Sequence, residues 1–168
     1  MNPAKLIEKA KQSNFYLWVL NFALSRMIPF NIPHGFKVTS LTNNSIKTLL
    51  PYKRKNLNHV RGLHACALAT LSEFTTGFLL ISRLGMDKYR LILQRLEIDY
   101  HYQGKMNAIA EFSATEEWLE EKIHKALQAN DSVVVPCEVK INDEKGNILT
   151  TAVVHWQLKD WKKVKTKT

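Results

Sequence analysis

The first apolar run of the chain spans residues 6–27, follows Asn2-Pro3 and stops at Pro29. Asparagine before proline suits a helix N-cap, with proline at the first helical position, where no backbone N–H is needed. The pattern predicts an N-terminal helix of about two dozen residues, with Ser13-Asn14 as the place for a break. From Phe36 the apolar period becomes two, and residues 36–41 and 45–50 read as a hairpin turning at Asn43-Asn44. Residues 62–84 are apolar on every side, which predicts a fully buried helix. Beyond it, residues 95–102 alternate, with Leu96, Ile98, Tyr100 and Tyr102 towards the core and Arg95, Glu97, Asp99 and His101 away from it. Residues 107–114 place Ala108, Ala110, Phe112 and Ala114 on one face. A short amphipathic helix over 116–129, capped by Thr115, carries the stripe Trp118, Leu119, Ile123 and Leu127. Strands over 132–142 and 147–158 close the pattern through a turn at 143–146. A helix apolar all round needs a sheet wrapped around it, so the fold class is α+β: an antiparallel sheet around a long central helix, with an additional N-terminal helix. The edge of such a sheet calls for a partner subunit.

The 168 residues suit one domain, 1–168, with 1–35 as an N-terminal extension and 159–168 as a basic tail. A 45% hydrophobic and 23% charged composition excludes a disordered chain. Two cysteines, Cys66 and Cys137, exclude a disulfide framework and a CxxC zinc site, and no metal set is read. The net charge of +9 divides unevenly. Residues 53–61 contribute +4 through Lys53, Arg54, Lys55 and Arg61, residues 159–168 another +4, and the rest only +1. The tail reads as a solubilising end. Nucleic-acid binding is disfavoured because Tyr100, Tyr102 and Phe112 fall on core-facing positions rather than among the bases. Lys5, Lys9 and Lys11 ahead of an apolar run mimic a secretion signal, but Glu8 and Asn21 interrupt it. His64, Glu73, Thr75 and Thr76 argue against a membrane span over 62–84, and the expected location is the cytoplasm.

Glu73 is the only formal charge between Arg61 and Arg83. A buried, unpaired carboxylate is costly or has a raised pKa, which marks it as a general base or nucleophile, against the plainer role of a glutamate reaching solvent at a helix edge. Its helical neighbours Ala69, Thr70, Thr76 and Gly77 form a small, partly polar stripe suited to a cavity wall. His64 lies nine residues earlier. On one helix that is half a turn out of phase and about 13 Å away, so a site using both needs two subunits. At the helix start, free backbone N–H groups can polarise a carbonyl.

The string from Asn58 through Val60-Arg61-Gly62-Leu63-His64-Ala65, running into Glu73, resembles the active-site segment of hotdog-fold acyl-CoA thioesterases, closest to the phenylacetyl-CoA thioesterase-like branch. The resemblance covers about residues 15–158 and implies roles position by position. Glu73 attacks the thioester carbonyl or activates water. The Ala65 N–H holds the oxyanion, Asn58 holds the carbonyl or the water, His64 orients loop or substrate, and Thr76 assists the water or the carboxylate. It further implies a homodimer or tetramer, with coenzyme A present only as part of the substrate and no separate cofactor. Lys53, Arg54, Lys55 and Arg61 then suit the coenzyme A phosphates, unless they form only a solvated loop. One departure stands out: many relatives carry glycine after the histidine, and this chain carries Ala65, whose Cβ crowds a close approach. A binding module without turnover and a dehydratase on the same fold are the rival expectations. Cys66 is expected among apolar helix neighbours and not as a nucleophile.

Overall fold

Six antiparallel strands curl around one 20-residue helix in the computed structural model, which describes residues 2–165. The chain runs α1 (Pro3–Ala10), α2 (Asn14–Met27), β1 (Lys37–Leu41), β2 (Ser45–Leu50), α3 (Ala65–Leu84), β3 (Tyr89–Tyr100), β4 (Ala108–Ser113), α4 (Glu116–Leu119), α5 (Lys125–Ala129), β5 (Ser132–Asp143) and β6 (Ile148–Asp160). The strand order is β1-β2-β4-β5-β6-β3, which puts β1 and β3 at the edges.

The N-terminal helix divides at Ser13-Asn14, as its sequence suggested. Asn2 caps α1 by accepting from the Ala4 N–H, and Ser13 precedes α2. The polar Asn21 lies against β1: its carboxamide accepts from the Val38 N–H at 2.7 Å and donates to the Val38 carbonyl at 2.8 Å. Both outward-facing peptide groups of one edge-strand residue are thereby satisfied by a helix.

α3 is the central helix. Leu71, Leu79 and Leu80 have no exposed surface, and Phe74 and Phe78 stack beside them. Truncating a leucine in such a core costs about 2–5 kcal/mol. α3 is long and apolar enough to cross a membrane, yet 61% of that stretch is buried within the fold. Its burial is incomplete at one end, because Ala65 and Cys66 in the first turn are exposed. Cys66 is therefore not embedded among apolar neighbours as its sequence suggested.

Three further departures have local causes. β3 begins at Tyr89, six residues before the strict alternation, because a bulge between Leu93 and Arg95 resets the phase. Leu91 and Leu93 on one side of the bulge, and Leu96 and Ile98 on the other, then all pack against the core. Beyond Ile98 the sheet no longer covers the alternating residues, and Tyr100 and Tyr102 are 47% and 59% exposed rather than core-facing. At the C-terminus the basic tail is partly folded. β6 runs to Asp160, Asp160 caps a 3₁₀ turn over Trp161–Lys163, and Lys163 pairs with Asp131. The last part of the tail, 166–168, lies outside the described residues. The segment 116–129 is helical and Thr115 caps it, with a π-helical turn over Glu120–His124 between α4 and α5.

Candidate functional site

The loop leading into α3 is held from several sides. Asn56, with no exposed surface, donates to the His34 and Pro51 carbonyls, and its side-chain oxygen meets His34 Nδ1 at 3.0 Å. Its own carbonyl accepts from the His64 N–H. Two residues on, Asn58 closes a tight loop. Its Oδ1 accepts from the Val60 and Gly62 N–H groups at 3.1 and 2.9 Å, and its backbone N–H donates to the Gly62 carbonyl. Arg61 within this loop adopts φ +59°, the one non-glycine residue in the left-handed region among the described residues. Tyr52 donates to the Arg61 carbonyl and Gln103 to the Val60 carbonyl, so the strained turn is buttressed from outside.

His64 is the N-cap of α3. Its Nδ1 accepts from the Cys66 N–H at 3.1 Å, which assigns the ring proton of the neutral imidazole to Nε2. The Ala67 and Leu68 N–H groups turn to the His64 carbonyl. In the first turn only the Ala65 N–H is left without a partner among the described residues. Free donors at a helix start carry the positive end of the macrodipole.

Ala65 and Asn58 line one cleft of about 390 Å³, together with Leu63, Leu68, Tyr100 and Tyr102. The Tyr100 hydroxyl donates to the Ala65 carbonyl at 3.1 Å and ties the end of β3 to the start of α3. Burial, with a smaller contribution from Cys66, pushes the Tyr100 phenol above the ordinary tyrosine value. Neither tyrosine was singled out for the site by the sequence pattern. The detectable signal was that two aromatics continue an alternating strand past the end of its apolar partners.

Glu73 sits eight residues beyond Ala65 on the same helix, half-buried, and burial raises its carboxyl above the ordinary glutamate value. Among the described residues no ion pair or side-chain hydrogen bond holds that carboxylate. It does not line the Asn58–Ala65 cleft. Half of the expected cavity stripe is absent. Ala69 and Thr70 stay partly open, but Gly77 packs under the Trp156 ring, and Thr76 has no exposed surface. The Thr76 hydroxyl donates to the Ser72 carbonyl and accepts from Trp156 Nε1 at 2.9 Å. Thr76 is thus a buried polar tether between α3 and β6, with its hydroxyl already bonded to Ser72 and Trp156.

Lys53, Arg54, Lys55 and Arg61 are exposed and make no ion pair among the described residues. Burial, then the neighbouring Lys55 and Lys37 ammoniums, hold Lys53 below the ordinary lysine value. Lys37 therefore belongs to the same electropositive cluster, although its strand position hid it from a reading of the loop alone.

The model of a family described as a domain of unknown function, DUF4442, matches residues 17–158. No curated protein matches the chain. Among solved structures, the chain is similar to a Pseudomonas aeruginosa protein of unknown function, PA5026, described as a probable thioesterase. The TM-score is 0.76 at 19% identity, covering 83% of this chain and 93% of that one. A Haemophilus influenzae thioesterase, HI1161, aligns with TM-score 0.68 at 11% identity over 89% of this chain and 94% of that one. A variant of a Staphylococcus aureus thioesterase, SAV0944, aligns with TM-score 0.63 at 12% identity over 78% and 98%. The shared architecture is the hotdog fold: an antiparallel sheet wrapped around one long helix.

Proposed function

Because the chain belongs to the DUF4442 family and carries the hotdog fold, we propose that it hydrolyses acyl-CoA or acyl-carrier thioesters with a fatty or aryl acyl group, at a site formed between two copies of the chain. One observation carries this reading. α3 holds an unpartnered backbone donor at Ala65 and an unpaired carboxylate at Glu73, about 12 Å apart along the helix axis. One thioester carbonyl cannot meet both within a chain, whereas a second copy can bring its Glu73 to the first copy's cleft.

In this reading the carbonyl oxygen accepts from the Ala65 N–H, and the Asn58 carboxamide NH₂, not used by the loop, is available to the carbonyl or the water. The Glu73 carboxylate of the other copy takes a proton from water as the water oxygen bonds to the carbonyl carbon. The C–S bond then breaks, and that proton passes to the departing thiolate, leaving a carboxylic acid and a thiol. A carboxyl raised by burial is the stronger base for this step. His64 serves by capping, since its acceptance of the Cys66 N–H leaves the Ala65 donor directed outward. Lys53, Arg54, Lys55 and Arg61, with Lys37 nearby, supply charge for the coenzyme A phosphates.

Ala65 favours one second reading. Ala65 lines the cleft at the position where many members of the resembling family carry glycine, which suits a module that binds acyl-CoA without turning it over. A panel of acyl-CoAs assayed with wild type and Glu73→Gln separates the two. Turnover abolished by Glu73→Gln supports hydrolysis, turnover unaffected by it refutes the mechanism, and binding without turnover by wild type supports the second reading.

A further inference from the structure

α2 is apolar on two sides, and only one of them is covered. Leu20 and Leu24 are buried against the body of the protein, and Leu17, Val19 and Ala23 pack beside them. On the opposite side Phe15, Trp18 and Phe22 are 64%, 65% and 51% exposed. Spaced three and four residues apart, they fall within about 60° of one another around the helix. Phe15 stacks on Trp18 and Trp18 on Phe22, with ring centroids 6.3 and 6.1 Å apart, so the three present one continuous aromatic ridge. Met27 at the end of α2, and Phe30 and Ile32 beyond it, are further exposed apolar residues. The Asn21 clamp on β1 fixes the helix with the ridge outward, so it cannot roll over to bury it.

The charged groups stacked on the rings of α2 are both bases. Arg26 lies over the Phe22 ring at 4.6 Å, and Lys9 lies over Tyr16, whose ring meets Phe15 edge-on. A base therefore stands at each end of the ridge. From Lys9 to Ser72 the sequence contains no acidic residue. Residues 1–72 carry ten Lys and Arg against the single acid Glu8, which is itself paired with Lys11, so this part of the chain holds the entire net charge of +9. The remaining residues hold 14 bases and 14 acids.

We propose that α2 docks the protein on an anionic lipid surface, with Phe15, Trp18 and Phe22 entering the headgroup–acyl boundary and the basic N-terminal region facing the charged headgroups. Aromatic rings flanked by lysine and arginine are the composition of helices that lie in a bilayer interface, where apolar burial and attraction to anionic lipids act together. A second copy of the chain is the less suitable occupant. A two-fold contact through this ridge brings Lys9 and Arg26 against the partner's like charges, and Glu8, the one acid of residues 1–72, is already paired with Lys11. The inference does not depend on the thioesterase reading, because vesicle binding and turnover are separate measurements.

The test is co-sedimentation of the full chain with phosphatidylcholine vesicles and with mixed phosphatidylcholine–phosphatidylglycerol vesicles, at low and at physiological salt. Wild type is expected to bind the mixed vesicles, to bind pure phosphatidylcholine weakly and to lose affinity as salt rises. The triple variant Phe15→Ser/Trp18→Ser/Phe22→Ser is expected to lose roughly tenfold or more in partitioning, with an unchanged thermal melt because all three side chains are exposed. The single variant Trp18→Gln keeps the test decisive if the triple variant folds poorly, and is expected to weaken binding in the same direction. Failure of wild type to bind anionic vesicles at low salt overturns the proposal, as does undiminished binding by Trp18→Gln. So does sedimentation showing that the ridge variants lose self-association while wild type ignores vesicles, since a second copy then covers the ridge.

Discussion

Replacing Ala65 by proline removes the proposed oxyanion donor and little else. Proline lacks the backbone N–H, and at this position that N–H has no partner among the described residues, so no internal hydrogen bond is lost. Ala65 is the first residue of α3, the helical position at which proline is favoured. The preceding residue is also compatible. His64 has φ −69° and ψ 137°, the extended conformation into which a following proline drives its neighbour. Stability should therefore stay within about 1 kcal/mol of wild type, with a gain possible from the stiffer unfolded chain. Loss of one oxyanion donor costs about 100- to 1000-fold in kcat, or about 2.7–4 kcal/mol of transition-state stabilisation. The assay pairs urea denaturation with steady-state turnover on the best acyl-CoA of the panel. Ala69→Pro, one turn further on, is the control and should cost about 3 kcal/mol or more of stability. Wild-type turnover by a folded Ala65→Pro protein refutes the assignment of the donor. Unfolding of Ala65→Pro refutes the geometry on which it rests.

Gly77→Ala should destabilise the fold by about 1–3 kcal/mol despite the better helix propensity, because a Cβ there meets the Trp156 ring at 2.5 Å and that ring is pinned to Thr76. Denaturation midpoints in wild-type and Trp156→Phe backgrounds check this, with a smaller cost expected beside phenylalanine. For Glu73, burial raises the folded-state pKa, so the folded protein retains a proton that the unfolded chain releases, and stability falls as pH rises from the ordinary glutamate value through the raised one. Glu73→Gln should abolish that fall and be more stable than wild type at neutral pH while losing activity; equal stability in urea melts across this range counts against the buried carboxylate. A thiol reagent at mildly alkaline pH should modify the exposed Cys66 rapidly and spare Cys137, whose thiol is buried and pushed up to about 12, until the protein is unfolded. Two fast thiols would contradict the packing of β5.

Much of the fold could be read from periodicity where an element obeys one repeat: α3 is apolar on most sides, and β2, β4 and β5 alternate. β3 was read short because a bulge breaks the alternation that identifies a strand. At the candidate site, Asn58, His64 and Ala65 were singled out through the resemblance to hotdog thioesterases, and all three lie at the start of α3 or in the loop before it. Thr76 was named from its helical spacing to Glu73, which gives proximity but not direction, and its hydroxyl turns to a tryptophan 80 residues away. Tyr100 and Asn56 were invisible for the same reason. Their roles depend on contacts with the Ala65 carbonyl and with His34, which only the folded chain brings together.

The clamp of Asn21 on Val38 has a consequence for growth by strand addition. β1 is five residues long, with its outward peptide groups at Val38 occupied by a side chain from α2, whereas β3 offers a twelve-residue edge with no strand beside it among the described residues. A sheet with one closed end and one open end can be extended once, by a like open end, and the product has none left. Asn21 therefore occupies, at Val38, the donor and acceptor that an added strand would need on the β1 edge. Replacing it with a residue that cannot bond Val38 is expected to open a second edge to strand addition, read as growth beyond the wild-type oligomer in light scattering.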